Sequence, residues 1–303
     1  MTESTPLASA IVPLMQEVAQ QVYPASTLYV VATPIGNIGD ITLRALQVLA
    51  LADAVACEDT RNTAQLLARY GMAKPLIAAH QHNEREAAEK LIARLRSGER
   101  IALVSDAGTP GISDPGAKIV DAVRAAGLRV TALPGATAAM TALSASGLLH
   151  ERFHFVGFLP AKPKQRDTAL AELRALPATL VFYEAPHRIE EAVASLVAGF
   201  EAERKIVFAR EISKLFEEIH RCTLAEAQAW LAADAHRHKG EYVILLEGAA
   251  SHGDADQLEA DRVLAILLES CSVKQAAALA AQLTGQKKNA LYERALQLSQ
   301  RSE

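Results

Sequence analysis

The chain has 303 residues, 50% of them hydrophobic and 22% charged, enough to bury one full core and room for a second. Its 31 Lys and Arg stand against 35 Asp and Glu, a formal charge of −4, which excludes the strongly basic chain that is the simplest mark of a nucleic-acid binder. No apolar run approaches the roughly 18 residues of a membrane helix, the stretch Met1–Pro13 carries Glu3 with no basic segment ahead of an apolar one, and Cys57, Cys222 and Cys271 form no Cys-x-x-Cys pair; these point to a cytoplasmic protein with reduced thiols.

Residues 1–26 hold Pro6, Pro13 and Pro24 among small polar residues, which predicts a flexible leader. From Thr27 onward short β-branched runs alternate with helical patterns. Strands are expected at Leu28–Ala32, Ala54–Cys57, Leu76–Ala79, Ile101–Ser105 and Arg129–Leu133, and helices near Thr42–Ala50, Asn62–Tyr70, Asn83–Arg96, Ala117–Ala126 and Ala136–Ser146. Such βα alternation predicts a largely parallel sheet covered on both faces, an N-terminal α/β domain over residues 27–148.

A second series follows over 149–248, with strands expected at Phe153–Gly157, Thr179–Tyr183, Lys205–Ala209, Phe216–Cys222 and Glu241–Glu247. The connection between the strands at 205 and 216 is too short for a crossover helix, so this sheet must contain an antiparallel pair. The small, polar stretch Gly248–Asp256 reads as a linker into a helical domain, 257–303. There Ser272 with Gln275 fits a capping box, and Gly285 ends one helix just before another, as in a helix-turn-helix.

The strongest local feature is the loop Ser105–Gly116, which follows a strand and combines three glycines, two prolines, Asp106 and Asp114 at the edge where open α/β folds bind ligands. It lacks the phosphate-loop and dinucleotide fingerprints. The loop Ala32–Asp40 should lie beside it. Cys57-Glu58-Asp59-Thr60-Arg61 is either an ordinary capped helix start or a contact for an anionic substrate. His80, His82 and Glu84 have no second cluster at ligand spacing, and no metal is expected. In the second half, Phe182–Arg188 and Arg210–Lys214 place aromatic, acidic and basic groups at strand ends.

Taken in order, Ala-Thr-Pro-Ile-Gly-Asn at 32–37, Glu-Asp-Thr-Arg at 58–61, His-Asn-Glu at 82–84, the loop 105–116, Pro-Gly-Ala-Thr at 134–137, Phe-Tyr-Glu-Ala-Pro-His-Arg at 182–188, Arg-Glu-Ile-Ser-Lys at 210–214 and Gly-Glu at 240–241 resemble the ribosomal RNA small-subunit methyltransferase I family. The resemblance runs from about residue 27 to the C-terminus and departs at Ser213, where threonine is usual. It implies the tetrapyrrole-methylase fold, with two α/β/α domains and S-adenosylmethionine in the cleft between them. It also implies a homodimer and 2′-O-methylation of a cytidine in the 16S rRNA of the small ribosomal subunit. By position it implies cofactor contacts at Pro34, Gly36, Asp106, Ala107, Gly108, Ile112 and Thr137, with Phe182, Tyr183, Arg210 and Gly240 as walls from the second domain.

A ribose hydroxyl is scarcely ionised at neutral pH, so methyl transfer to it needs a proton acceptor; Asp59, Glu184, Glu211 and Asp114 are the candidates. Arg61, Lys214 and Arg188 are candidate phosphate or transition-state partners. Between Ser270 and Arg301 the bases Lys274, Lys287, Lys288, Arg294 and Arg301 face only Glu293. The modest total charge therefore hides a segment of +4 suited to tracking RNA phosphates. An aromatic content of 5% points to recognition by shape and phosphates more than by base stacking. The same fold could instead methylate a small tetrapyrrole, or serve as a non-catalytic RNA-binding assembly factor.

Overall fold

A computed structural model describes residues 6–149, 151–250 and 252–299. Where a flexible leader is expected, Pro6–Ala19 forms a helix, α1. The segment after it is tied to α1 by one bond and to the first sheet by two. The Tyr23 hydroxyl donates to Val18 O, the Tyr29 hydroxyl donates to Pro24 O, and Arg100 Nε donates to Tyr23 O. Tyr23 is consequently buried. The proline-rich composition masked this anchoring, because one of the three partners, Arg100, lies far along the chain. The remaining leader residues, 1–5, fall outside the described residues, as does Arg301.

The first sheet is β1 (Thr27–Val30), β2 (Ala54–Cys57), β3 (Leu76–Ala78), β4 (Arg100–Leu103) and β5 (Arg129–Ala132) in the order β3-β2-β4-β1-β5, parallel throughout. Its central strands read as unbroken apolar runs because both faces are covered. One face packs on α2 (Leu43–Leu51) and α3 (Thr60–Arg69), the other on α4 (Glu84–Arg96) and α5 (Ala117–Ala125). The chain leaves β1 toward β2 on one side and β4 toward β5 on the other. The adjacent ends of β1 and β4 are therefore a topological switch point, where a crevice opens.

The next helix, α6 (Ala138–Ser146), does not cover the first sheet. Its buried Ala139 and Ala142 pack with Val181, Val207, Ala209, Val243 and Leu245 of the second sheet. That sheet comprises β6 (Phe153–Phe158), β7 (Thr179–Glu184), β8 (Lys205–Arg210), β9 (Glu218–Thr223) and β10 (Tyr242–Leu246), ordered β6-β7-β10-β8-β9. The β6–β7 pair is parallel and the other three pairs are antiparallel, including the expected β8–β9 pair. Its far face is filled by α7 (Pro163–Leu173), α8 (Ile189–Gly199) and α9 (Leu224–Ala232). Packing thus divides before α6, earlier than the break expected near residue 148.

Helices α10 (His252–Leu268), α11 (Val273–Thr284) and α12 (Lys288–Ser299) enclose a small core of their own around Leu264, Ala277 and Leu291. The Ser272–Gln275 capping box is formed, and Gly285 ends α11 in the left-handed conformation. Among the described residues no helix is long and apolar enough to cross a membrane.

Phe208 is fully buried and stacks on Trp230 at 4.6 Å, and Trp230 in turn lies flat on His220 at 4.5 Å. Phe208→Ala should lower stability by about 3–5 kcal/mol, read as a fall in the urea midpoint at unchanged slope. A shift within the scatter of surface substitutions would show that this core relaxes into the void.

Candidate active site

The loops after β1 and β4 meet as the sequence predicts. Thr33 and Gly108 exchange both backbone hydrogen bonds, at 2.9 and 3.0 Å, and the Thr33 hydroxyl donates to Ser105 O. On the opposing side stand the ends of β7, β8 and β10 and the N-terminus of α6. Between the two lies a cavity of about 250 Å³, with Gly108, Ile112 and Asp114 on one wall and Tyr183, Glu211 and Val243 on the other.

Of the residues that the resemblance marks as cofactor contacts, Ala107, Gly108, Ile112, Thr137 and Tyr183 line this cavity, and so do the candidate catalytic residues Glu211 and Lys214 and the candidate base Asp114. Ile35 lines it in place of its neighbours Pro34 and Gly36. Gly36 has a different task, since a Cβ there would sit 2.5 Å from Lys214 Cγ and 3.1 Å from Ile212 O. It lets the second domain's Ile212–Lys214 turn press against the β1 loop.

Several expectations are corrected. Asp106 does not line the cavity; its carboxylate accepts from Asp59 N–H and from Asn62 Nδ2, pinning the Ser105–Gly116 loop to the start of α3. Asp59 caps α3 and pairs with Arg61 at 2.8 Å, which holds its carboxyl down at about 2, too acidic for a base. The Arg61 side chain is 86% exposed beside it and away from the cavity, so the capped helix start describes this segment. Alternation along β7 sends Phe182, 0% exposed, into the core against α8, and it is no wall of the cleft.

Glu184 shares that face. It borders the cavity, yet its side chain is 1% exposed, pairs with Arg188 Nε at 3.3 Å and accepts the Ala185 N–H. Burial pushes its carboxyl up. Arg188 is occupied there and by Leu159 O, so it is not a free phosphate ligand. Arg210 donates to Lys239 O and pairs with Glu218, away from the cavity. A Cβ on Gly240 would meet Glu211 at 2.5 Å, so that glycine makes room for Glu211 and does not line the cavity. Arg294 makes a two-pronged bond to Asp261, at 2.7 and 2.6 Å, while Lys274, Lys287 and Lys288 remain exposed. Glu84 is buried, accepting from Gly116 N–H and pairing with Lys118.

Charge inside the cavity is organised around one cation. Lys214 Nζ lies 2.7 Å from Glu211 and 2.8 Å from Glu241. Burial pushes the Glu211 carboxyl up, but the Lys214 bond and the Glu241 N–H outweigh it and leave it below its usual range. Lys214 is likewise held above its usual value by the two carboxylates in spite of burial. Asp114 has no such partner, and burial followed by repulsion from Glu58 and Asp106 pushes it up to about 6. Sequence reasoning gave no role to Glu241, although Gly-Glu at 240–241 was among the motifs, and it missed Phe158 at the end of β6; both line the cavity. Phe158 carried no motif signal, because its direction depends on a backbone irregularity.

Residues 27–228 match the family described as Tetrapyrrole (Corrin/Porphyrin) Methylases, and residues 254–299 match the RsmI C-terminal HTH domain. The solved structures of the methyltransferase CobJ and of cobalt precorrin-4 methyltransferase CbiF share the fold, with TM-scores of 0.55 and 0.54. They are 22% and 18% identical and cover 74% and 75% of this chain, and 94% and 98% of their own. The chain belongs to the tetrapyrrole methylase family. Within it, the ribosomal RNA small subunit methyltransferase I of Escherichia coli O157:H7 is 50% identical over 270 residues, 89% of this chain and 94% of that protein. That of Xylella fastidiosa (strain Temecula1) is 51% identical over 266 residues, 88% and 97% of the two chains. This is the branch to which the chain belongs.

A carboxyl raised by the fold favours the native state while it is neutral. The stability tied to neutral Asp114 is fully present below its ordinary value of 3.8 and is lost as pH rises through about 6. Asp114→Asn should therefore raise the urea midpoint relative to the wild type at neutral pH and change it little near pH 4. A pH-independent difference would contradict this.

Proposed function

We propose that the chain is an S-adenosylmethionine-dependent methyltransferase that methylates the 2′-hydroxyl of a cytidine in the 16S rRNA of the small ribosomal subunit. The observation that carries this is its 50% identity, over 94% of the relative's length, to a ribosomal RNA small subunit methyltransferase I. The cavity agrees in kind. Its walls are apolar at Ile35, Ala209 and Val243, and Asp114, Glu211 and Glu241 line it, a setting suited to a cationic ligand with a flat ring. The cofactor would be held by Ala107, Gly108, Ile112, Thr137 and Tyr183, and it supplies an electrophilic methyl group on a sulfonium sulfur.

The chain's own part is placement and proton handling. A site held between the two sheets fixes the acceptor oxygen in a near-attack position. Asp114, pushed up to about 6, is the carboxyl suited to accept the ribose proton near neutral pH. Glu211 is tied to Lys214, so its role is to orient that ammonium toward the substrate. Exposed Lys274, Lys287 and Lys288 would contact RNA phosphates from the helical domain. We take the working form to be a cytoplasmic homodimer, as the family resemblance implies; the three cysteines are unpaired, in keeping with a reducing compartment.

Transfer of a tritiated methyl group to small ribosomal subunits and to free rRNA, followed by nucleoside analysis, tests the proposal. Label in 2′-O-methylcytidine of 16S rRNA is expected. Label on a base, on a small tetrapyrrole acceptor, or on none of these would overturn it.

A further inference from the structure

Phe158 sits at the last position of β6, an edge strand, where alternation from Phe155 would turn it away from the cleft. It is turned toward the cleft by a β-bulge. Phe155 pairs with Val181, but the next partner of β7, Phe182, faces Gly157, so Val156 is the extra residue. Gly157 takes φ +75°, a conformation that glycine adopts without strain. Val156 consequently packs against the core on the far face of the sheet, while Phe155 and Phe158 both meet Tyr183.

The three rings form one aromatic wall. Phe155 meets Tyr183 edge-on at 5.1 Å and Phe158 meets it at 5.8 Å. Tyr183 is fixed from behind, since its hydroxyl oxygen accepts the Ala139 N–H of α6 at 3.1 Å. Phe158 lines the cavity yet is 53% exposed, and so is Ile112 on the facing domain, at 50%. Two large apolar side chains, one from each domain, thus stand half-solvated around the same opening. A bulge that turns a phenylalanine from a core face toward water lowers stability unless something covers the ring.

Resting on the function proposed above, we infer that Phe158 is the stacking platform for the base of the nucleotide being methylated. A ribose whose 2′-hydroxyl is held inside the cavity places its base one glycosidic bond farther out, at the mouth. A base drawn out of a folded RNA loses its stacking neighbours, and an aromatic face at that point replaces them. Phe158 binds the acceptor and not the cofactor; it is a specificity residue of the RNA side. Lys162 and Lys164, exposed on the segment that leaves β6, can meet the flanking phosphates.

The test compares the wild type with Phe158→Ala, Phe158→Leu and Phe158→Tyr in two measurements: calorimetric affinity for S-adenosylmethionine, and kcat/KM for methyl transfer to small ribosomal subunits. Base–aromatic stacking predicts that Ala and Leu lower kcat/KM about tenfold or more, while Tyr stays within about threefold of the wild type. Affinity for S-adenosylmethionine should hold within about twofold in all three, which also reports that they fold. A loss of cofactor affinity matching the loss of turnover would make Phe158 a cofactor wall and overturn the inference. So would full activity in Phe158→Leu, because apolar cover alone would then suffice. A wild type that binds cofactor but methylates no RNA would instead overturn the proposed function and this inference with it.

Discussion

The site depends on how closely two sheets can approach. The Ile212–Lys214 turn presses against the first loop of the N-terminal domain at Gly36, where no side chain would fit, and the Ser213 hydroxyl donates to Asp40 across the same seam. Glu211 and Ser213 both hold positive φ, 49° and 69°, conformations disfavoured for residues with a Cβ. They are kept there by bonds from the Glu211 N–H to Glu241 O and from the Ser213 N–H to Glu217. Lys214, between Glu211 and Glu241, ties the turn to the start of β10. Backbone strain at a site is retained only where surrounding contacts over-determine it, and here they do.

This joint explains the distribution of charge. Glu211 and Glu241 both pair with the single Lys214 ammonium, and that pairing holds the Glu211 carboxyl below its usual range. Asp114, on the opposite wall and surrounded by other acids, is left to titrate near neutrality. One seam therefore yields a fixed cation on one wall and a carboxyl raised toward neutrality on the other, the pairing on which the proposed division of roles rests. Helix α6 supports both, packing on the second sheet while its N-terminal residues Thr137 and Ala138 border the cavity.

The alternating architecture was legible because it rests on local signals. Ala54–Cys57 is a strand with the predicted ends, the β8–β9 pair follows from a connection too short to cross over, and the Ser272–Gln275 box caps α11 as its spacing requires. The two glycine loops were legible as neighbours because strand order in such sheets brings loop ends together. Side-chain direction was not. Phe182 and Glu184 lie in the same motif as Tyr183, but one step of alternation separates a core residue from a cavity wall. Asp106 carries the residue type of a binding site, yet its partners, the Asp59 N–H and the Asn62 side chain, are ones that only the fold brings near, whereas Asp59 makes the local helix cap that its sequence also allowed. Phe158 depends on a bulge, and α1 on tyrosine bonds to carbonyls, neither of which leaves a periodic trace.

If the joint creates the cofactor site, a side chain at Gly36, which does not itself line the cavity, should disable it by displacing the Ile212–Lys214 wall. The direct measurement is the calorimetric affinity of Gly36→Val for S-adenosylmethionine, beside the wild type and under conditions where both are folded. Displacing the Ile212–Lys214 turn should weaken binding by about tenfold or more, because small misplacements of facing groups cost large factors. Wild-type affinity in Gly36→Val would contradict the account, since the cavity would then hold its ligand without the close approach of the two sheets.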